Sequence, residues 1–325
     1  MNIQTLSREQ IIASIPELCA VWNAAFGADW PLSQRLLRQT VEDDDLFESE
    51  GVFIARDGDK IIGWILSKTN RNGGPEIGRF AGRGGIGAWC VLPSHQKRGV
   101  GTALLEHAER FLRAANVAPN TLYFPHHLLP GVPLQCEAAL RLLEARGYTV
   151  KEEHFDLQRD LTNWQMPEKA RAAIEQNSTV EFRPAREDER EVLCDFVGRE
   201  FPGPWTYSTR GHFARGGAAH DFVVAVEEGE ILGFCHIGDW NSARLIPSTY
   251  WFPLLGERFG GLGPIGIAKE QRKRGLGLAI CGAAVDELVA RGATAMAIDW
   301  TTLEDFYGQL GFAVWKRYRQ YEGNK

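Results

Sequence analysis

The sequence predicts an α+β protein made of two tandem copies of one fold. Three observations carry this. The chain has 325 residues, enough for about two domains of ordinary size. A glycine-and-basic signature occurs twice, 176 residues apart, and aligns without a gap. The first copy runs Gly84-Gly85-Ile86-Gly87 to Gln96-Lys97-Arg98-Gly99-Val100-Gly101, and the second Gly260-Gly261-Leu262-Gly263 to Arg272-Lys273-Arg274-Gly275-Leu276-Gly277; seven of the 18 positions are identical. An interval this long marks a duplicated domain and not a solenoid unit. Third, both halves show the same mixed order of helical and strand patterns, which points to α+β domains rather than a run of βαβ units.

The elements follow in that order. A helical stretch rich in Glu, Arg and Leu opens each half, at 7–22 and 186–201, and a Trp-bearing loop follows at 26–32 and 201–209. Residues 52–63 and 222–233 each read as a hairpin, an apolar strand meeting an acidic-Gly turn and a second apolar strand. A Gly-rich strand comes next (84–92; 260–268), then the basic glycine loop. A long amphipathic helix starts there (101–115; 277–291). A further strand and a helix ending near Gly147-Tyr148 or Gly311-Phe312 close each unit. The expected division is a first domain at 1–160, a linker at 161–177 and a second domain at 178–325. Met166-Pro167-Glu168 can start a short helix through Gln176, with Asn177-Ser178 as its stop.

Composition narrows the function classes. Hydrophobic content of 44% and charged content of 24% are those of a globular protein. The net charge of -6 divides evenly: 17 Lys+Arg face 20 Asp+Glu in residues 1–160, and 19 face 22 in the remainder. Neither half shows the basic excess of a nucleic-acid-binding surface. The six cysteines have no CxxC or zinc-type spacing and read as reduced thiols, mostly buried. His95, His126 and His127 lack metal-type partner spacing, so no metal is expected. No signal peptide or apolar span of 18 residues is present. The expectation is a cytoplasmic protein with no membrane or nucleic-acid partner.

The repeated signature carries chemistry. A strand feeding a Gly-rich turn and then a helix gathers backbone N–H groups around one point, and the helix N-terminus adds partial positive charge, so the turn suits a phosphate. It is not a Walker A loop, because no Gly-Lys-Ser/Thr ends it. It is not a dinucleotide fingerprint, because the Gly-x-Gly-x-x-Gly spacing is absent. Arg272, Gly275 and Gly277, and likewise Gln96, Gly99 and Gly101, match the pattern Arg/Gln-x-x-Gly-x-Gly/Ala. This resembles the acetyl-CoA loop of the GNAT N-acetyltransferase superfamily, and the resemblance covers nearly all of both halves. It implies two tandem GNAT-like domains, each a strongly twisted mixed sheet flanked by helices, with acetyl-CoA as co-substrate in a gap between two splayed strands. It places the pyrophosphate on Arg272, Lys273, Arg274, Gly275, Leu276 and Gly277, and in the first half on Gln96, Arg98, Gly99 and Gly101. The preceding strands would hold the pantetheine arm and the acetyl carbonyl, through Ile265 and Ile267 or through Trp89 and Val91.

The family often has Tyr four residues before a Gly-Phe pair, as the acid that protonates the departing thiolate. Tyr307, before Gly311-Phe312, matches; the first half has Leu143 there. The resemblance therefore implies that the second domain is the catalyst and the first is degenerate: it binds CoA weakly, completes the acceptor cleft or serves as an internal partner. Many members also place Glu 14 residues before the first loop glycine, but Gly85 and Gly261 stand there. Asp299 is one replacement as general base, Asp239, His236 and Glu257 are others, and a water chain is a further alternative. Trp205, Tyr207, Trp240, Trp251, Phe252 and Trp300 gather near the expected acceptor side, and the segments 201–205 and 299–307 resemble GNAT domains of amino-sugar metabolism. The expected activity is acetyl transfer from acetyl-CoA to an amine of a small molecule, with a non-catalytic acyl-CoA-binding protein as the rival reading. The chain is expected to be a monomer with pseudo-dimeric halves, or a homodimer.

Overall fold

The computed structural model describes residues 1–71, 77, 80–121 and 127–324. The chain forms two compact units: Met1–His154 together with Arg317–Lys325, and Phe155–Lys316. Both mix strands with flanking helices, as the duplicated pattern predicts. The units divide differently from the boundaries read in the sequence. The stretch 161–177 belongs to the second unit, and the tail 317–325 belongs to the first.

The first unit begins with β1 (Asn2–Gln4), α1 (Arg8–Ala13), α2 (Ile15–Phe26) and α3 (Gln34–Glu42). The predicted helix 7–22 is thus two helices. Ser7 starts α1 through a reciprocal capping box with Gln10. The chain restarts after Ser14, because Pro16 fits only in a helix's first turn. Trp22 of α2 donates its indole N–H to the Trp30 carbonyl at 2.6 Å, which fixes the loop after the helix. Next come β2 (Val52–Asp57), β3 (Lys60–Lys68) and β4 (Gly85–Val91), an antiparallel sheet in the order β1-β2-β3-β4. Then follow α4 (Val100–Ala114), β5 (Val132–Pro133), α5 (Glu137–Ala145) and β6 (Thr149–Asp160), which leaves the first unit after His154.

The second unit holds α6 (Glu168–Gln176), β7 (Glu181–Pro184), α7 (Arg190–Glu200), α8 (Pro204–Ala214), β8 (Phe222–Glu227), β9 (Glu230–Asp239), β10 (Phe259–Ile267), α9 (Leu276–Arg291), β11 (Ala295–Thr301), α10 (Glu304–Gly308) and the start of β12 (Ala313–Glu322). The short helix expected after Met166-Pro167 is α6; it packs on α9, where Ala170 and Met166 meet Gly282. The expected loop at 201–209 is mostly helix, because Pro204 sits in the first turn of α8. The sheet runs β6-β11-β10-β9-β8-β7, and of these pairs only β10–β11 is parallel. One core lies against α9 and includes Leu262, Ile280, Cys235 and Ile237. A second includes Phe196, Phe222, Val224 and Phe234, with Trp205 packed against it. All six cysteines are free thiols, and five of them are buried.

Candidate functional site

In the second unit, β10 and β11 pair only from Phe259↔Ala295 to Leu262↔Ile298. Beyond that point they part. β10 continues on β9 through Ile267↔Gly233, with a register shift between Leu262 and Ile265. β11 continues on β6 as far as Thr301↔Phe155. A wedge therefore opens between two neighbouring strands, and β10 leads directly to the glycine loop at its mouth.

The backbone facing that wedge follows from strand alternation. Ala268 donates its N–H to the Leu232 carbonyl of β9 at 2.9 Å. Gly266, two residues earlier, points the same way. Ile265 and Ile267 then direct their N–H and C=O groups away from β9, toward the wedge. The Ile267 carbonyl accepts from Arg272 Nε at 3.2 Å. The first unit repeats the arrangement: Leu92 donates to the Ile62 carbonyl at 2.8 Å, and the Val91 carbonyl accepts from Gln96 Nε2 at 3.0 Å. Arg272 and Gln96 thus share one structural task, tying the loop back onto its strand.

The loop is built as a cradle in both copies. Lys273 has φ 70 and Gly275 φ 84; Lys97 has φ 58 and Gly99 φ 82. Alternating left-handed residues turn successive N–H groups inward, the backbone pattern of a nest, which suits an anion. The helices α9 and α4 start immediately after it, so their first N–H groups have no intrahelical acceptor. A side chain at Gly99 would meet nothing within 4 Å, so this glycine is required by its backbone angle rather than by crowding. The loop cations divide their work. Arg274 makes paired 3.1 Å contacts with Glu227 and a third, at 3.3 Å, with Asn177 Oδ1, so its side chain anchors the loop to β8 and the end of α6. Lys273 and Arg98 are exposed.

Tyr307 and Asp299 lie close enough in the second unit to interact electrostatically. Tyr307, on α10, is buried in the α9 core among Phe306 and Phe312. Burial pushes its phenol pKa up, and Cys281, Cys235 and Asp299 nearby add to the effect. Asp299 Oδ1 lies 3.5 Å from the place a Cβ on Gly263 would occupy, across the gap from β11 to β10. Gly277 of the cradle lies against Phe306, where a Cβ would be 3.7 Å from the ring. The wedge, the cradle and the tyrosine helix are therefore contiguous.

The other carboxylate and histidine candidates differ in setting. Asp239 accepts from Arg291 at 3.0 Å and from the Asn241 N–H at 2.7 Å, so it is held in a structural network. Glu257 is exposed in the loop before β10, at the end of that strand remote from the cradle. His236 is buried, stacked on Phe222 at 4.2 Å and set edge-on to His212. Gly261, where a Glu was sought, faces the 3₁₀ turn Pro247–Thr249: a Cβ there would come within 2.5 Å of Ser248 Oγ. That turn fills the space a longer side chain would need. In the aromatic group, Trp205 packs among Phe201 and Phe234, while Trp240 packs on the α9 core. Among the described residues no group of three or more His, Cys, Asp or Glu is placed to hold a metal; His126 lies outside them. No helix among them is long and apolar enough to cross a membrane.

One contributor escapes sequence reasoning. Asp156 of β6, assigned by sequence to the first domain, accepts from the Trp300 N–H at 3.1 Å. It braces the turn next to Asp299, where Trp300 has φ 40. Only the pairing of β6 with β11 brings it there, and no local signal marks it.

With this geometry in place, the sequence comparisons agree. The model of the acetyltransferase (GNAT) family matches residues 15–126 and again 189–312, together more than half the chain. The protein belongs to the GNAT family, as a tandem-domain member. Among solved structures, it is similar to a fungal GCN5-related glucosamine N-acetyltransferase region of a multi-domain GH3 β-N-acetylglucosaminidase, with 26% identity and a TM-score of 0.83. The match covers 99% of this chain and 38% of that one, so the chain spans well under half the length of that protein. A GCN5-related N-acetyltransferase from Sphaerobacter thermophilus matches with a TM-score of 0.69 at 15% identity, over 99% of this chain and 94% of that one. A tandem GNAT protein from the clavulanic acid biosynthesis pathway matches with a TM-score of 0.64 at 13% identity, over 100% and 99%. No curated protein sequence matches the chain.

Proposed function

We propose that the second unit acetylates the amine of a small molecule, with an amino sugar as the acceptor class. The observation that carries this is the continuity of cradle, wedge and Tyr307 within one unit. The amino-sugar class is supported by the 26% identity to the fungal glucosamine N-acetyltransferase region. Acetyl-CoA, when bound, supplies an activated acetyl group as a thioester. The N–H groups of the 273–277 loop suit its pyrophosphate, and Arg272 and Lys273 add positive charge beside it. The outward N–H groups of Ile265 and Ile267 are placed to hold negative charge developing on a carbonyl oxygen. Asp299 accepts the proton that the attacking amine must lose. Tyr307, kept protonated by its burial, is the proton source at the sulfur side of the site.

The test is thiol release with acetyl-CoA and glucosamine, against a panel of simple amines. Glucosamine is expected to be acetylated, and Tyr307→Phe to lower kcat by roughly 100-fold with little change in acetyl-CoA affinity. Turnover within about twofold of the parent would make Tyr307 a packing residue. The first unit calls for a second reading, because Leu143 stands where the second unit has its tyrosine and has no proton to give. Its role is binding rather than turnover.

A further inference from the structure

The first unit contains two adjoining cavities. One is an open groove of about 570 Å³ that runs from the loop residues Gln96, Lys97, Gly99 and Gly101 along Val91 and Trp89. The other is a narrow chamber of about 60 Å³ whose walls are almost wholly apolar: Trp22, Ile86, Ala88, Leu129, Val132 and Leu143 among them. Phe26, Trp30, Trp89, Cys136 and Ala139 line both. The chamber and the groove therefore adjoin along a shared wall.

Two features of this wall bear on what fits. Trp89 Nε1 has no acceptor among the described residues, and it packs beside Gly101 at the start of α4, where a Cβ would come within 3.6 Å of it, so the indole closes the cradle end of the groove. Leu143 is fully buried and faces the chamber. At the matching position of the second unit a phenol reaches the wedge; here a branched apolar side chain extends the lining. An anion cradle and an adjoining apolar chamber match the two ends of a CoA thioester, its pyrophosphate and its hydrocarbon.

We propose that the first unit is a binding site for CoA thioesters whose acyl group is apolar and larger than acetyl. The inference rests on reading its glycine loop as a CoA cradle. The pyrophosphate sits on the Lys97–Gly101 turn, the pantetheine arm follows the groove along Val91 and Trp89, and the acyl chain enters the chamber. An acetyl group leaves most of that apolar wall uncovered. Each added methylene that is buried strengthens binding by about fourfold until the chamber is full.

The experiment uses the full chain carrying Gly275→Glu, whose carboxylate repels the pyrophosphate at the second cradle and leaves the first to be read alone. Calorimetric titrations with CoA, acetyl-, butyryl- and hexanoyl-CoA are expected to give rising affinity, with hexanoyl-CoA at least roughly tenfold tighter than acetyl-CoA. Adding Ala139→Phe, which fills the chamber from α5, is expected to flatten the series while acetyl-CoA still binds. A flat series in Gly275→Glu overturns the acyl selectivity, and this outcome does not depend on whether the Ala139 variant folds. A series that keeps its slope in a folded Ala139→Phe protein overturns the placement of the chain. No binding of any thioester to Gly275→Glu, with one equivalent bound by the parent, removes the first cradle and leaves the proposed role of the second unit standing. A parent chain that binds no CoA at all sinks both readings.

Discussion

At the residue scale, the groups that were legible are those whose chemistry needs a fixed spacing. Tyr307 stands out because a helix places it one turn before the Gly311-Phe312 cap, and it packs on Phe306, whose ring faces Gly277 of the loop. Arg274 was legible only as a charge. Its side chain is spent on Glu227, a partner 47 residues away that no local pattern reveals. His236 is read best through pH. Burial, with His212 beside it, pushes its imidazole pKa well below the ordinary histidine value, and burial also lowers that of His212. The folded state therefore binds fewer protons than the unfolded chain between the depressed values and about pH 6.5. This contribution to stability is complete above about pH 6.5 and is lost as pH falls through that window. Melting temperature is expected to drop on acidification from pH 7.5 to 5.5, and less steeply in His236→Phe. An unchanged slope in that variant would assign the effect to other groups.

At the scale of elements, the glycine loop and its flanking strand and helix form one device, repeated in each unit. The strand supplies outward backbone groups, the loop turns N–H groups inward, and the helix adds its N-terminal charge. The sequence marks this device because left-handed turns and close approaches restrict residue choice. What it does not mark is why Gly261 replaces the carboxylate expected on β10. The answer lies in the 3₁₀ turn at Pro247–Thr249, which packs against that glycine. Gly261→Ala is expected to cost about 1–3 kcal/mol through overpacking against Ser248 and Thr249. Chemical denaturation would measure it, and a cost near zero would show that the turn yields freely. Across the gap, Asp299 of β11 has its Oδ1 3.5 Å from the place a Cβ on Gly263 of β10 would occupy.

At the scale of the whole molecule, the division into units does not follow the order of the chain. The first unit needs the last residues of the sequence. Tyr318 and Tyr321 are fully buried there. Trp30 donates its indole N–H to the Tyr318 hydroxyl at 3.0 Å, Thr121 donates its N–H to the Tyr321 carbonyl at 2.9 Å, and β5 pairs with Tyr318 and Arg319. A fragment of residues 1–160 loses all of these. Truncating one large buried aromatic costs roughly 3–5 kcal/mol, a large share of the 5–15 kcal/mol that holds a typical domain. The fragment is expected to be unfolded or molten by near-ultraviolet circular dichroism. A cooperative melt at the temperature of the parent protein would show that the tail is dispensable.

The sequence by itself determined that one fold occurs twice, that each copy carries a glycine turn of the kind that suits a phosphate, and that only the second has a phenol at the matching site. These are local patterns of spacing, glycine and periodicity, and each is enforced by backbone geometry within a few residues. Only the tertiary structure decided that Asp156 braces the turn at Trp300, that Arg274 is an anchor, that Leu143 lines an apolar chamber and that the tail completes the first unit. Each of these depends on a pairing between segments tens to hundreds of residues apart. Such a pairing is selected by the total surface that folding buries, and a sum of that kind leaves no signature in any single stretch of chain.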